Sequence, residues 1–154
     1  MNSTRSRAST TPEAASRGTV VLAEDDAATR ILLCRVLTRA AFTVYAVENG
    51  RLACEAARLR GPDVILLDWA MPEMDGRRAV EVLKADTLTR AIPIVMLTTH
   101  SQIEDRIVAL QAGVQNFLSK PCDMRELVAC IEGQMQWRAT VVSATLAAAS
   151  AEPV

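Results

Sequence analysis

The sequence has almost no net charge, no long apolar run and no closely paired cysteines. Its 154 residues carry 17 Lys and Arg against 18 Asp and Glu, so no surplus of positive charge is available to attract nucleic acid. No segment approaches the roughly 20 consecutive apolar residues that span a bilayer, and the polar first 18 residues lack the apolar stretch of a secretory signal. These absences argue against direct nucleic-acid binding and membrane insertion, and they predict a cytoplasmic protein.

The spacing of the cysteines gives no sign of a metal or redox pair. Cys34, Cys54, Cys122 and Cys130 stand far apart, and none of them forms the CxxC spacing of a metal or redox pair. We expect small buried thiols in a reducing compartment. The single histidine, His100, is expected to lie in a solvated loop.

The order of apolar segments predicts one globular domain. Half of the residues are hydrophobic, which is enough for one sizeable core. Residues 1–18 are rich in Ser, Thr, Ala and Arg and predict a disordered leader. After them, β-branched apolar runs alternate five times with helical patterns. The predicted strands are 19–23, 43–48, 63–68, 93–98 and 116–119, and the predicted helices are 28–40, 50–60, 76–85, 101–112 and 124–137.

Polar residues and a glycine mark several helix ends. Ser101 with Glu104, and Asp123 with Glu126, fit an N-cap and its partner in the first turn. Gly113 fits a left-handed residue at the end of the fourth helix. Taken alone, Asp25, Asp26 and Asp75 also fit N-caps. The Ala-rich residues 138–154 predict an extension of the last helix, a short separate helix or a frayed end, and the pattern leaves these three open.

The strand segments indicate a parallel sheet. VILLD and IVMLT are continuous apolar runs, which are typical of strands buried on both faces beneath helices. In an open parallel sheet, ligands bind beyond the carboxyl ends of the strands. We therefore expect functional residues directly after the strands.

Complementary polar residues stand at those positions. Carboxylates that converge there would repel one another unless a cation compensates them. Oxygen ligands without Cys or His favour Mg²⁺ over Zn²⁺, and Mg²⁺ indicates a phosphate partner. The strand-end residues are Glu24, Asp25 and Asp26 after the first strand, Asp68 at the third, Thr98 and Thr99 at the fourth, and Lys120 and Pro121 after the fifth.

Four segments resemble the receiver domains of two-component response regulators. These are VVLAEDD, VILLDWAMPEMDG, PIVMLTT and FLSKP, which agree with that family in order and spacing over about residues 19–135. The resemblance implies an α/β fold of the flavodoxin-like, doubly wound (βα)5 type, with a five-stranded parallel sheet in the order 2-1-3-4-5. It implies a receiver domain over residues 19–137, followed by the tail 138–154.

The resemblance also implies a role for each strand-end residue. Asp68 would be the phosphoacceptor, taking a phosphoryl group from a phosphohistidine. Lys120 would pair with Asp68 and then with the phosphoryl group, to which the Thr98 hydroxyl would donate a hydrogen bond. Phe117 would move with Thr98 as a switch that repacks the output face, although plain core packing is an equal alternative for this aromatic residue.

A magnesium site follows from the same resemblance. Glu24, Asp25, Asp68 and the backbone carbonyl of Ala70 would hold the ion, Glu24 through a water molecule. A cis peptide bond before Pro121 is also implied. Ala70 is small and Cys122 stands where an aromatic residue is frequent, so the sequence departs from the family at these two positions.

The expected function is that of a single-domain response regulator. Its partners would be a histidine kinase or histidine phosphotransfer protein and a downstream protein, and it would be a monomer or a phosphorylation-dependent dimer. It is expected not to be a metabolic enzyme, since it would catalyse only its own phosphorylation and dephosphorylation. The alternatives are an aspartyl-nucleophile phosphohydrolase, which needs an acid where Ala70 stands, a scaffold that takes no phosphate, and a receiver fragment of a larger regulator.

Overall fold

The computed structural model describes residues 15–99 and 103–151 and shows five parallel strands in one sheet, in the order β2-β1-β3-β4-β5. This order confirms the predicted fold. The strands are β1 Thr19–Ala23, β2 Thr43–Val47, β3 Val64–Leu67, β4 Ile94–Thr98 and β5 Asn116–Ser119. The helices are α1 Ala27–Arg39, α2 Gly50–Arg60, α3 Gly76–Ala85, α4 Ile103–Ala112 and α5 Met124–Ser150.

Helices cover both faces of the sheet. One apolar cluster joins alternate strand residues such as Val21, Ile65 and Met96 to α2, α3 and α4. The other joins the intervening residues, such as Val20 and Leu66, to α1 and α5. Neighbouring residues of one strand point to opposite faces. Each central strand is therefore buried on both sides, which is why its sequence is continuously apolar.

Most predicted bounds agree with the structure within one residue. The observed β2 stops at Val47, β3 spans Val64–Leu67 and β4 begins at Ile94, so each is slightly shorter than predicted. The residues that were predicted as strand ends but lie outside the observed strands belong to the adjoining loops. The predicted cap Ser101 and the predicted loop residue His100 lie outside the described residues.

Local side-chain hydrogen bonds fix the helix starts. Asp26, Asp75 and Asp123 are the N-caps of α1, α3 and α5, and each carboxylate accepts a first-turn amide at 2.8 Å. Asp26 rather than Asp25 therefore caps α1. Gly113 follows α4 with φ of 106°, which confirms the predicted left-handed end. The Lys120–Pro121 peptide bond is cis, as the resemblance implied.

The last helix is much longer than its predicted extent of residues 124–137. It continues through the Ala-rich segment to Ser150, so the first of the three alternatives is the one observed. Arg138 donates a hydrogen bond to the carbonyl of Pro62 at 2.8 Å, and all residues from 139 to 151 are exposed. Across residues 15–99 and 103–151, no helix combines the length and apolarity needed to cross a bilayer.

The chain is already fixed before β1. The Arg17 amide donates to the Ala41 carbonyl at 2.9 Å, and the Arg17 guanidinium pairs with Glu132 of α5 and lies 5.3 Å from the Phe42 ring. The Gly18 carbonyl accepts from the Thr43 amide at 2.9 Å. The predicted leader covered these residues, and its remaining part, 1–14, lies outside the described residues.

The four cysteines are free thiols, but only Cys54 is buried. Burial raises the pKa of the Cys54 thiol to about 11, so it stays protonated and unreactive at neutral pH. Cys34, Cys122 and Cys130 are half-buried and pack against the apolar cluster beneath α1 and α5. The expectation of four buried thiols was therefore wrong for these three, because each sits at the rim of that cluster.

Candidate functional site

Three carboxylates meet at the carboxyl ends of β1 and β3. These two strands are neighbours, so the residues that follow them lie side by side. Glu24, Asp25 and Asp68 each place a carboxylate oxygen within 4.8 Å of the others. Glu24 is 2% exposed and Asp68 is 9% exposed, whereas Asp25 is open to solvent. The predicted convergence of acidic strand-end residues is therefore present.

Backbone amides hold two of these carboxylates in place. Asp68 Oδ1 accepts from the amide of Trp69 at 2.7 Å, and Glu24 Oε1 accepts from the amide of Asp26 at 3.1 Å. Arg30, one turn into α1, donates to the Glu24 carbonyl at 2.8 Å. Both acids consequently turn their other oxygen towards the position that the Lys120 ammonium occupies.

Lys120 brings a positive charge into the cluster from β5. Its Nζ forms an ion pair with Asp68 Oδ2 at 3.2 Å and a second, shorter one with Glu24. The Lys120 side chain is 18% exposed, so water screens these pairs only partly. The pairing with Asp68 was predicted. The pairing with Glu24, 96 positions away in the sequence, was not predicted.

Burial and pairing set the ionisation of this pair. Burial raises the pKa of the Glu24 carboxyl, and the hydrogen bond from Lys120 opposes that rise. Burial by itself would lower the pKa of Lys120, but the hydrogen bond to Glu24 and the charge of Asp68 raise it above its ordinary value. Lys120 is therefore charged at neutral pH. The cluster has three carboxyl groups but only one ammonium, which pairs with two of them, and this leaves the cluster suited to a further cation.

The donor set and the adjoining space fit Mg²⁺. The ligand atoms are carboxylate oxygens, which suit a hard divalent ion, and neither Cys nor His is among them. An open cavity of about 600 Å³ lies beside them and leaves room for water and phosphate oxygens. It is lined by Asp25, Trp69, Ala70, Met71, Pro72 and Asp75.

Thr98 lies on β4, which pairs with β3, and Phe117 lies on β5, which pairs with β4. Thr98 ends β4 and is 3% exposed, and its carbonyl accepts from the Lys120 amide at 3.0 Å. Phe117 stands opposite Met96 in the β4–β5 pairing and packs half-buried against the cluster beneath α4. The guanidinium of Arg106, on α4, lies 5.6 Å from its ring. The predicted switch residue Phe117 is thus beside α4, and Thr98 is at the end of the neighbouring strand.

A side-chain contact that the sequence did not reveal holds the loop after β3. Glu73 has φ of 62°, and its Oε2 accepts from Asn49 Nδ2 and Arg51 Nε, each at 3.3 Å. The Gly50 amide also donates to the carbonyl of Met74 at 3.0 Å. The start of α2 therefore fixes the loop that carries Ala70. No local pattern marks this contact, because its partners are more than 20 residues apart.

Gly76 is expected to tolerate a side chain poorly at the start of α3. A Cβ added there would lie 2.3 Å from the Asp68 carbonyl oxygen and 3.0 Å from Trp69 Cα, and backbone atoms cannot move away cheaply. We expect Gly76→Ala to lower the free energy of unfolding by about 1–3 kcal/mol, measured by urea denaturation. Gly133→Ala is the matched control, since apart from its neighbours in the backbone of α5 no described atom lies within 4 Å of the added Cβ. In mid-helix that change should stabilise by up to about 1 kcal/mol. Equal effects at the two sites would contradict the close approach.

Comparison with known proteins identifies the family. A model described as the response regulator receiver domain matches residues 20–132. The chain belongs to this family, which acts in two-component signal transduction. It is 36% identical over 117 residues to the phosphate regulon transcriptional regulatory protein PhoB of Klebsiella pneumoniae, covering 76% of this chain and 51% of that protein. It is also 36% identical over 116 residues to the DNA-binding transcriptional regulator NtrC of Escherichia coli, covering 75% of this chain and 24% of the relative.

Solved structures agree with this assignment. The receiver domain of a signal transduction histidine kinase from Syntrophus aciditrophicus is 31% identical, with a TM-score of 0.72 over 77% of this chain and 90% of that one. The receiver domain of a sensor histidine kinase from Pseudomonas aeruginosa is 28% identical, with a TM-score of 0.73 over 77% of this chain and 98% of that one. The latter has a magnesium ion coordinated in its active-site cleft.

Proposed function

We propose that Asp68 accepts a phosphoryl group from a phosphohistidine and that this modification switches a protein-binding face. The observation that carries the proposal is the meeting of Asp68 with Lys120, at 3.2 Å, inside the cluster formed with Glu24 and Asp25. In the transfer, an Asp68 oxygen bonds to phosphorus while the nitrogen–phosphorus bond of the donor breaks. The electron pair of that bond stays on the donor imidazole.

Lys120 and Thr98 would stabilise the transferring group. The Lys120 ammonium already contacts Asp68, so it can follow the negative charge from the carboxylate to a phosphoryl oxygen. The Thr98 hydroxyl, at the adjacent strand end, would donate to another phosphoryl oxygen. A donor that is in place before the reaction, as the Lys120 ammonium is, needs no reorganisation when charge develops, and charge stabilisation is most of what phosphoryl transfer requires from a protein.

A bound Mg²⁺ would neutralise negative charge on the phosphoryl oxygens. Asp25 and Asp68 would hold it directly, Glu24 would hold it through water, and the Ala70 carbonyl would supply a further oxygen. Glu73 would keep Ala70 in place through its contacts with Asn49 and Arg51. Within this chain, the carboxylate cluster thus serves to bind the cation and to present Asp68.

Thr98 and Phe117 would transmit the modification. Movement of the Thr98 side chain towards the phosphoryl group would vacate space that the Phe117 ring can enter. The Phe117 ring would then separate from Arg106, which now lies 5.6 Å away. The surface formed by α4, β5 and α5 would change shape, and a downstream protein would read that change.

The partners follow from this chemistry and from the family. A histidine kinase or a histidine phosphotransfer protein would be the donor, in the cytoplasm. The chain spans about half the length of PhoB and about a quarter of NtrC, which are named as transcriptional regulators. We propose that this chain itself does not contact DNA, because its charge is balanced. The output would come from a protein that binds the switched face.

The residues near Asp68 argue against a phosphohydrolase. Such an enzyme needs an acid near the nucleophile to protonate the leaving group. The side chain two residues after Asp68 is the methyl group of Ala70. The neighbouring carboxylate of Asp75 is engaged as the α3 N-cap, where it accepts from the Arg78 amide at 2.8 Å. The expected catalysis is therefore limited to the protein's own phosphorylation and dephosphorylation.

The test is stoichiometric phosphorylation by a small-molecule phosphodonor. With Mg²⁺ present, we expect the intact mass to rise by one phosphoryl group. Chelation of the ion by EDTA should reduce the rate strongly, because the carboxylates would then repel the donor. Alkaline hydroxylamine should remove the group, as expected of an acyl phosphate. No mass change with donor and Mg²⁺, or labelling that withstands hydroxylamine, would reject phosphorylation at an aspartate.

A further inference from the structure

The loop between β3 and α3, residues 69–75, contains a strained turn. The Met74 amide donates to the Pro72 carbonyl at 2.7 Å, and Glu73 between them has φ of 62°. A hydrogen bond between residues two positions apart, around a residue with positive φ, is typical of the rare and strained form of γ-turn. Any side chain other than that of glycine disfavours this backbone conformation. Such a turn persists only where the surrounding structure holds it.

The start of α2 supplies contacts that hold this turn. Asn49 Nδ2 and Arg51 Nε both donate to Glu73 Oε2, each at 3.3 Å, and the Gly50 amide donates to the Met74 carbonyl at 3.0 Å. A Cβ added at Gly50 would lie 2.5 Å from that carbonyl oxygen, so the two segments are in close contact. Three consecutive residues at the start of α2 therefore fix the second half of the turn.

Asn49 is the residue of these three whose side-chain type is most informative. It is 3% exposed, and its Oδ1 accepts from the Leu52 amide at 2.9 Å as the N-cap of α2, while its Nδ2 donates to Glu73. Aspartate is an equally good N-cap, but its carboxylate has no N–H to donate. Capping alone therefore does not require an amide at this position, whereas the contact with Glu73 does.

The β3–α3 loop also forms a wall of the cavity beside the acidic cluster. Ala70, Met71 and Pro72 are among the residues that line the cavity. The Gly76 amide closes the loop on the Trp69 carbonyl at 2.8 Å. Within the loop only Met71 is buried, and Ala70 is exposed, so the core does not hold Ala70 by its own side chain. The course of the chain at Ala70 therefore depends on how the turn that follows it is held.

We propose that Asn49 is a positioning residue for the magnesium site. Asn49 holds Glu73, and Glu73 fixes the loop whose Ala70 carbonyl would be one of the ligands. Asn49 is not among the residues that line the cavity, so it acts through Glu73 and not by touching the ion. This inference rests on the proposed function, because it concerns the ion that the acidic cluster would bind.

Charge and positioning predict opposite effects of Asn49→Asp on Mg²⁺ affinity. Through charge alone, the added carboxylate would attract a cation and lower the Mg²⁺ dissociation constant. Through positioning, it would repel the Glu73 carboxylate, release the turn and raise that constant. Removing a group that holds a metal ligand in place costs about 10–100-fold in affinity. We expect a rise near the lower end, about tenfold, because Asn49 acts through Glu73.

Isothermal titration of the full chain with MgCl₂ measures the dissociation constant, and urea denaturation in EDTA checks that each variant is folded. Asn49→Ser keeps an N-cap without adding charge, so it should also weaken Mg²⁺ binding, and it replaces Asn49→Asp if that variant does not fold. Glu55→Gln is the matched control. Glu55 accepts from Arg51 Nη1 at 2.7 Å within α2 and forms no hydrogen bond with the described β3–α3 loop. Its Mg²⁺ affinity should equal that of the wild type.

A double variant that exchanges donor and acceptor tests the contact itself. In Asn49→Asp with Glu73→Gln, the amide at position 73 can donate to the carboxylate at position 49, while its oxygen still accepts from Arg51. The hydrogen bond is then restored in the reverse direction. Mg²⁺ affinity should return close to the wild-type value, which a purely structural defect at position 49 would not allow.

The possible outcomes separate this inference from the proposed function. Wild-type affinity in both Asn49→Asp and Asn49→Ser would overturn the positioning role and leave the magnesium site in place. Tighter binding by Asn49→Asp would show that charge acts there and positioning does not. A double variant that binds no better than Asn49→Asp would contradict the role of the Asn49–Glu73 contact. If the wild type itself bound no Mg²⁺ at millimolar concentration, the magnesium site of the proposed function would be rejected, and this inference with it.

Discussion

Asp68→Asn is expected to reduce phosphorylation by a small phosphodonor to background. An amide oxygen is a far poorer nucleophile than a carboxylate, and it cannot form a stable acyl phosphate. The change is nearly isosteric, so the Asn carbonyl can still accept from the Trp69 amide, as Asp68 Oδ1 does at 2.7 Å. The loss should therefore be chemical and not structural. Intact mass after incubation with donor and Mg²⁺ measures it.

Asp75→Asn is the matched control for this experiment. Asp75 is another carboxylate on the cavity wall, but it belongs to the helix cap and not to the acidic cluster. Asn is as good an N-cap as Asp, so this variant should fold and be phosphorylated like the wild type. Equal labelling of Asp68→Asn and the wild type would place the phosphoacceptor at another residue and contradict the proposed function.

Lys120→Met is expected to have the largest effect on stability. The change removes the ammonium that contacts Glu24 and Asp68, while these two carboxylates remain 2% and 9% exposed. Removing one partner of a buried ion pair leaves uncompensated charge and costs about 3–5 kcal/mol. We expect a value near the lower end, because Lys120 is not fully buried. Urea denaturation of both proteins at neutral pH, without Mg²⁺, measures the difference in their free energies of unfolding.

The effect of Lys120→Met should depend on pH, whereas a loss of packing alone would not. The pKa of Lys120 is raised in the folded protein. Its stabilising contribution is therefore complete below the unfolded pKa of about 10.4, and it is lost as the pH rises through the higher folded value. The difference in free energy of unfolding between the wild type and Lys120→Met should therefore become smaller above about pH 10.4. Lys120→Arg, which keeps the charge, should retain most of the stability at neutral pH. If the difference in free energy of unfolding stayed constant through the alkaline range, the ion pairs would contribute little to stability.

The sequence was informative where structure depends on neighbouring residues. Continuous apolar runs identified buried parallel strands, because both faces of such a strand must be apolar. The caps Asp75 and Asp123 were recognisable because each accepts an amide within its own first turn. Strand-end positions also located Glu24, Asp25, Asp68 and Lys120, since parallel strands all end at one edge of the sheet.

Contacts between distant residues were not predictable in the same way. Glu73 reaches Asn49 and Arg51 only because α2 and the loop after β3 meet in space. Arg17 was assigned to a disordered leader, yet it pairs with Glu132 of α5. A charged side chain can pair with any of several partners, and strand order and packing, rather than the local sequence, determine which one it contacts.

The sequence by itself determined the order of the elements and the edge of the sheet at which the acidic residues and Lys120 meet, and it predicted a divalent ion held by oxygen atoms there. These follow from hydrophobic period, from caps that act within one turn and from the ligand preferences of oxygen atoms. Only the tertiary structure decided that Lys120 binds Glu24 as well as Asp68, and that α5 continues past the domain with large apolar side chains exposed. Both depend on which surfaces the folded sheet and helices bring together and which they leave uncovered.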